Sequence, residues 1–257
     1  MTYIQKNYKY NEKLTYEENL LLDRLFKFKL SHMAEALEKQ FADPNSELLD
    51  FHTRITELIN YEWDQRQQTK FNRLLRRATL KYPQADFDEA IYEPDRRLDT
   101  RTIEKLQECT WIDEPKNLLI TGSAGAGKTH IANALCVAAL HQHRSVKYIR
   151  ASTLMNESEK ARLNNNVYDY INTMSAFDLL VIDDFGLMEL DMDKCRDLFE
   201  IIETRDCRKA TMIVSQLPVI KWWDLFADNT YADACLSRMT SKAYRLECNG
   251  RDMRKSP

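Results

Sequence analysis

The chain has 257 residues, 44% hydrophobic and 10% aromatic, enough for one large domain or for a small domain joined to a medium one. A formal net charge of −3 argues against the whole chain acting as a generic polyanion binder, and no apolar run approaches the roughly 20 residues needed to cross a bilayer. The polar start from Met1 to Tyr10 has no secretory signal, and Cys109, Cys136, Cys195, Cys207, Cys235 and Cys248 show no zinc-ligand spacing, so reduced thiols in a cytoplasmic protein without membrane contact are expected.

Residues 15–82 read as helical. Thr15 and Glu18 have capping-box spacing ahead of Leu21, Leu22, Leu25, Phe26 and Phe28, and Ser31 can cap a second short helix carrying Met33, Ala34 and Leu37. After the Asp43-Pro44-Asn45 turn, Phe51, Ile55, Leu58 and Ile59 predict a long helix over 50–80. Its second half places Arg66, Lys70, Arg73 and Arg77 on one stripe, opposite Phe71, Leu74 and Leu75, and no acid falls between Gln65 and Ala85. Such a stripe can meet a polyanion, dock a protein or be a solvated helix face. Residues 1–82 are therefore expected to form an N-terminal helical bundle.

Residues 83–112, with Pro83, Pro94 and mixed charge, suit a linker with one short helix after Asp99. From 113 to 257 the pattern changes. Leu118–Thr121, Val146–Ile149, Leu179–Ile182, Thr211–Val214 and Tyr244–Leu246 read as buried strands separated by helical stretches, which predicts an α/β domain with a five-stranded parallel sheet between helices.

The chemistry concentrates at the ends of these strands. Gly122-Ser123-Ala124-Gly125-Ala126-Gly127-Lys128-Thr129 fits the phosphate-loop pattern G-x-x-x-x-G-K-[ST], with a strand before it and an apolar helix after it. Glycine lets the loop turn its amides inward around phosphate, and a side chain at Gly127 would collide with the ligand. The helix that begins there, with His130 in its first turn, aims its positive end at the same charge. Lys128 would reach the terminal phosphates and the Thr129 hydroxyl would ligate magnesium, so ATP with magnesium is the expected ligand. Some 55 residues later, the strand Leu179–Ile182 ends in Asp183 and Asp184; Asp183 would hold the metal and Asp184 face the attacking water. Ser215 and Gln216 end the next strand, where a polar group can orient water, although turn chemistry before Pro218 would place the same residues there. Arg238, late in a helical stretch, is either a surface ion-pair partner or an arginine presented to a neighbouring subunit's γ-phosphate.

These motifs together resemble the IstB-like group of AAA+ ATPases, helper proteins encoded beside transposases and close kin to the DnaC helicase loaders. The resemblance runs from Met33-Ala34-Glu35-Ala36-Leu37-Glu38, through Asn117–Gly122, Val146–Arg150 and Asp183–Leu187, to Ser215-Gln216-Leu217-Pro218-Val219, Trp222, Ala232–Arg238 and Asp252-Met253-Arg254-Lys255. It implies Asp183 as the Walker B metal residue, Asp184 as water activator, Ser215 and Gln216 as the sensor region, Arg238 as a finger acting in trans and Arg254 as a second nucleotide sensor. It also implies a ring or spiral of subunits around duplex DNA that recruits a transposase, with Lys160 and Arg162 joining the 66–77 stripe as DNA-facing residues. A helicase loader is the alternative, and a small-molecule kinase would need a lid that the sequence does not show. Two departures stand out. Asp184 sits where many AAA+ proteins carry Glu, which fits slow hydrolysis, and the few residues after Leu246 leave no room for the usual helical lid domain.

Overall fold

The computed structural model describes residues 8–87 and 100–248, which divide into two compact units, one ending at Asn72 and the other beginning at Arg73. The expected boundary at 82 is thus moved back into a helix.

The first unit contains α1 (Tyr16–Lys27), α2 (Ser31–Ala42), a 3-10 turn (Pro44–Leu48) and the first part of α3 (Phe51–Ala78). The capping box at α1 is present: Glu18 N donates to Thr15 Oγ1 at 3.3 Å, and Thr15 N donates to Glu18 Oε2 at 2.7 Å. α2 starts differently from expectation. Ser31 is its first helical residue, Leu30 occupies the cap without a side-chain bond, and Met33 N donates instead to Glu62 Oε2 of α3 at 2.8 Å. An unpaired first-turn amide beside a positive helix end suits an anionic acceptor, and the buried Glu62 supplies it from another helix.

The second unit begins with the last turns of α3, whose Leu74 and Ala78 are buried, followed by α4 (Thr100–Gln107) and α5 (Thr110–Asp113). Residues 100–113 are not a linker. Ile103, Leu106, Trp111 and Ile112 are all buried, and Trp111 Nε1 donates to Leu106 O at 3.0 Å. The rest alternates: β1 (Leu118–Gly122), α6 (Lys128–His141), β2 (Val146–Arg150), α7 (Ala151–Leu163), α8 (Val167–Ser175), β3 (Leu179–Phe185), α9 (Met192–Arg205), β4 (Ala210–Ser215), two 3-10 turns within 219–225, α10 (Asn229–Thr240) and β5 (Tyr244–Cys248). All five expected strands are present, paired in parallel in the order β2-β3-β4-β1-β5. Leu119, Leu180, Ile182 and Ile213 point into a core shared with α7 to α10. Their neighbours along each strand face the opposite side, where α6 packs. Both faces are covered, which is why the strands read as continuous apolar runs.

Charged groups inside this unit are paired rather than free. Asp197 of α9 accepts from Ser158 Oγ and Arg162 of α7, and Arg205 donates to Thr211 Oγ1 and to four carbonyls, those of Met174, Ser175, Phe177 and Ala210. All six cysteines are free thiols.

Gly122 shows the tightest backbone approach. It pairs with Cys248 of β5 at φ +142°, and a Cβ built there would lie 1.9 Å from the Cys248 carbonyl oxygen. The clash is with backbone and cannot be relieved by a rotamer. Gly122→Ala is expected to cost about 3 kcal/mol or more, from strain and overpacking together. A urea midpoint equal to that of the wild-type chain would contradict this.

Candidate functional site

The functional residues gather where β1, β3 and β4 end. The loop leaving β1 runs through Gly125 and Gly127, with φ of +78° and +83°, and enters α6 at Lys128. Positive φ at these positions turns successive amides to one side and forms an anion-binding hollow at the start of a 14-residue helix. Lys128 is buried and its ammonium donates to Gly122 O at 2.9 Å and to Ser123 O at 2.7 Å, so its charge is held against the loop itself. His130 Nε2 lies 3.0 Å from Asp86 O at the edge of the same cleft, which Lys81 and Tyr82 also line.

Asp183 is the buried acid of the site. Its Oδ2 accepts from Thr129 Oγ1 at 3.1 Å and from the Tyr148 hydroxyl, and its Oδ1 accepts from Asp184 N at 2.7 Å. Burial above all, then the bond to Asp183 and that carboxylate's charge, push the Tyr148 hydroxyl far above the ordinary tyrosine range, so it stays protonated and donates. A threonine hydroxyl beside a buried carboxylate is a hard-oxygen pair that fits magnesium. Among the described residues no group of three or more His, Cys, Asp and Glu side chains could hold a metal alone, so such an ion would be shared with phosphate oxygens and water.

Asp184 lines the cleft one residue on, in a left-handed conformation (φ +54°) at an irregularity in the β3–β4 pairing. Aspartate tolerates that region better than most residues, and here it turns the carboxylate toward Arg150, whose Nε is 3.5 Å from Oδ2. The Ser215 hydroxyl is buried and committed to local structure: it donates to Phe185 O and accepts from Leu217 N at 3.0 Å. Gln216 is exposed and lines the cleft, so of this pair it is the side chain free to meet a ligand. Trp222, fully buried, donates Nε1 to Leu217 O and packs edge-on against Phe185, fastening this loop to the end of β3.

Arg238 lies elsewhere. It pairs with Glu203, its guanidinium sits over the Phe199 ring at 5.3 Å, and Nη1 donates to Ala234 O. Asn117, just before β1, donates Nδ2 to Arg238 O at 2.9 Å and to Met239 O, and accepts from Thr211 N. Arg238 therefore stands at the entry of β1, and the phosphate loop at its exit, roughly 16 Å away along a five-residue strand.

The basic residues separate. Arg66 bonds to Glu62 and to Lys29 O, and Arg77 stacks over Phe177, while Lys70, Arg73 and Lys160 are exposed. Arg162 holds Asp197. Arg254 lies outside the described residues. Sequence reasoning missed Tyr148 and Arg150 as members of the site. The available signal was a tyrosine in a buried strand, whose hydroxyl must find a partner.

The family described as IstB-like ATP binding protein matches residues 23–257. The chain belongs to that family. A relative named as an insertion sequence ATP-binding protein, from Sinorhizobium fredii, is 35% identical over 235 residues, covering 91% of this chain and 96% of the relative. Among solved structures, the DnaC helicase loader superposes with TM-score 0.54 at 20% identity, over 66% of this chain and 99% of that one. AMPPCP-bound DnaA from Aquifex aeolicus gives 0.56 at 21%, over 67% and 52%. At these identities the structures establish the shared AAA+ fold. As an IstB-like protein the chain is an ATP-binding protein, and its phosphate loop lies where that fold supports it.

Proposed function

We propose that this chain hydrolyses ATP with magnesium and acts as an ATP-dependent helper of transposition. In this reading subunits assemble as a ring or spiral on duplex DNA and recruit a transposase, and hydrolysis releases them. The observation that carries it is the separation of the site into two ends. Lys128, Thr129, Asp183 and Asp184 form one half, and Arg238, held at the other end of β1, is out of reach of its own loop. An arginine so placed can serve only a nucleotide bound by another subunit.

Within one subunit the loop amides and Lys128 would bind the phosphates, Thr129 and Asp183 would hold the ion, and Asp184 would orient the attacking water. Magnesium, when bound, would neutralise phosphate charge as it develops during transfer. Lys70, Arg73 and Lys160 are the exposed cations best suited to a DNA backbone, since Arg66, Arg77 and Arg162 already have partners within the chain. The insertion-sequence relatives favour transposition over helicase loading; the DnaC likeness concerns the fold and suits both.

The test is assembly. Light scattering and duplex-DNA anisotropy should show a larger oligomer and tighter DNA binding with a non-hydrolysable ATP analogue than without nucleotide. If neither changes, the mechanism fails; if a replicative helicase rather than the transposase is bound by the assembled protein, the loader reading replaces it.

A further inference from the structure

Asp183 is held more completely than a strand-end carboxylate requires. Both hydroxyls that reach Oδ2 and the amide that reaches Oδ1 come from different elements: Thr129 from α6, Tyr148 from β2 and Asp184 from β3. Tyr148 is buried, and its backbone is held in turn, with Thr79 Oγ1 donating to Tyr148 O at 2.9 Å. Asn133, fully buried on α6, faces the same hydroxyl. Its own amide is pinned at both ends, donating to Thr129 O at 2.7 Å and accepting from Tyr82 N at 3.1 Å.

We propose that Tyr148 is the positioning residue of the metal site, fixing the Asp183 carboxylate so that it meets magnesium already oriented. The inference rests on the reading that Thr129 and Asp183 share that ion. Two features make Tyr148 suited to this task. Its hydroxyl is a permanent donor that does not itself compete as an anionic ligand, and it takes up one acceptor position on Oδ2 while the Thr129 hydroxyl takes the other. Residues that bond to a ligating carboxylate from behind restrict its rotation, and their loss characteristically weakens metal binding. The bonds through Asn133 tie the same tyrosine to Tyr82 at the cleft wall, so the orientation of Asp183 is joined to the segment that lines the nucleotide cleft.

The experiment is a magnesium titration of fluorescent ATP-analogue binding to the full chain. Tyr148→Phe removes one oxygen and keeps the ring. The magnesium concentration at half-saturation should rise about 10-fold, while affinity in EDTA stays within about 2-fold of wild type. In an Asp183→Asn background the same substitution should no longer shift the midpoint, because the two residues act as one unit. Tyr148→Met, apolar and flexible, gives the same shift if the phenylalanine variant does not fold. An unchanged midpoint, an equal loss of affinity in EDTA, or a shift that persists in the Asp183→Asn background overturns the proposal. A wild-type chain whose nucleotide binding ignores magnesium overturns the metal reading and this inference together. A normal wild-type titration with an unmoved variant overturns this inference alone.

Discussion

Lys128→Ala is expected to raise the dissociation constant for ATP by roughly 10- to 150-fold, corresponding to the loss of about 1.5–3 kcal/mol from hydrogen bonds to a charged group. The ammonium is buried and lies within 3 Å of the Gly122 and Ser123 carbonyls, so it is concentrated at the hollow the loop forms rather than dispersed in solvent. Alanine is well tolerated at a helix start, and α6 carries nine buried residues that anchor it regardless, so the loss should be in binding and not in folding. Titration with a fluorescent ATP analogue, beside a thermal melt, separates the two. Near-wild-type affinity would show that the loop amides alone carry the phosphate interaction.

Asp184→Asn has the second largest expected effect and the opposite signature. ATP affinity should stay close to wild type, and single-turnover phosphate release should fall roughly 10²- to 10⁴-fold, the usual range for removing a general base. Asparagine is nearly the same size and also tolerates the left-handed backbone that Asp184 adopts at φ +54°, so β3 keeps its geometry. The substitution removes the negative charge that pairs with Arg150 and faces the cleft. Unimpaired phosphate release would remove Asp184 from the catalytic step and leave it a structural partner of Arg150.

The sheet was legible because both its faces are covered. Leu118 to Ile120, Leu179 to Ile182 and Met212 to Val214 are all buried, and such runs have few readings other than central parallel strands. The phosphate loop and Asp183 were legible for a different reason: their chemistry constrains residue type and spacing together. What stayed hidden depends on side chains from distant elements. Ser31 looked like a helix cap, yet the amide it would have capped is bonded to Glu62, 29 positions beyond Met33. Residues 100–112 looked like a linker because prolines and mixed charge precede them, although Ile103 and Leu106 already stand one helical turn apart. Arg162 read as a free cation until the fold brought Asp197 to it, and Ser215 as a sensor until its hydroxyl was found bonded to Phe185 O and Leu217 N. In each case local pattern gave the residue type correctly and could not give the partner.

The pairing of Gly122 with Cys248 bears on when the site comes into being. These residues are neighbours across the sheet yet stand 126 positions apart, and everything from α6 to α10 must be synthesised between them. Long-range parallel pairing is slow, because the intervening loop has to be ordered before the contact contributes. While the chain still lacks β5, β1 has an open edge and the first residue of the phosphate loop has no wall behind it. The nucleotide site is thus among the last parts of the molecule to mature, and a chain that binds ATP has already closed its sheet. Nucleotide affinity doubles as a proofreading mark, separating finished subunits from nascent or truncated ones before any of them can join an assembly.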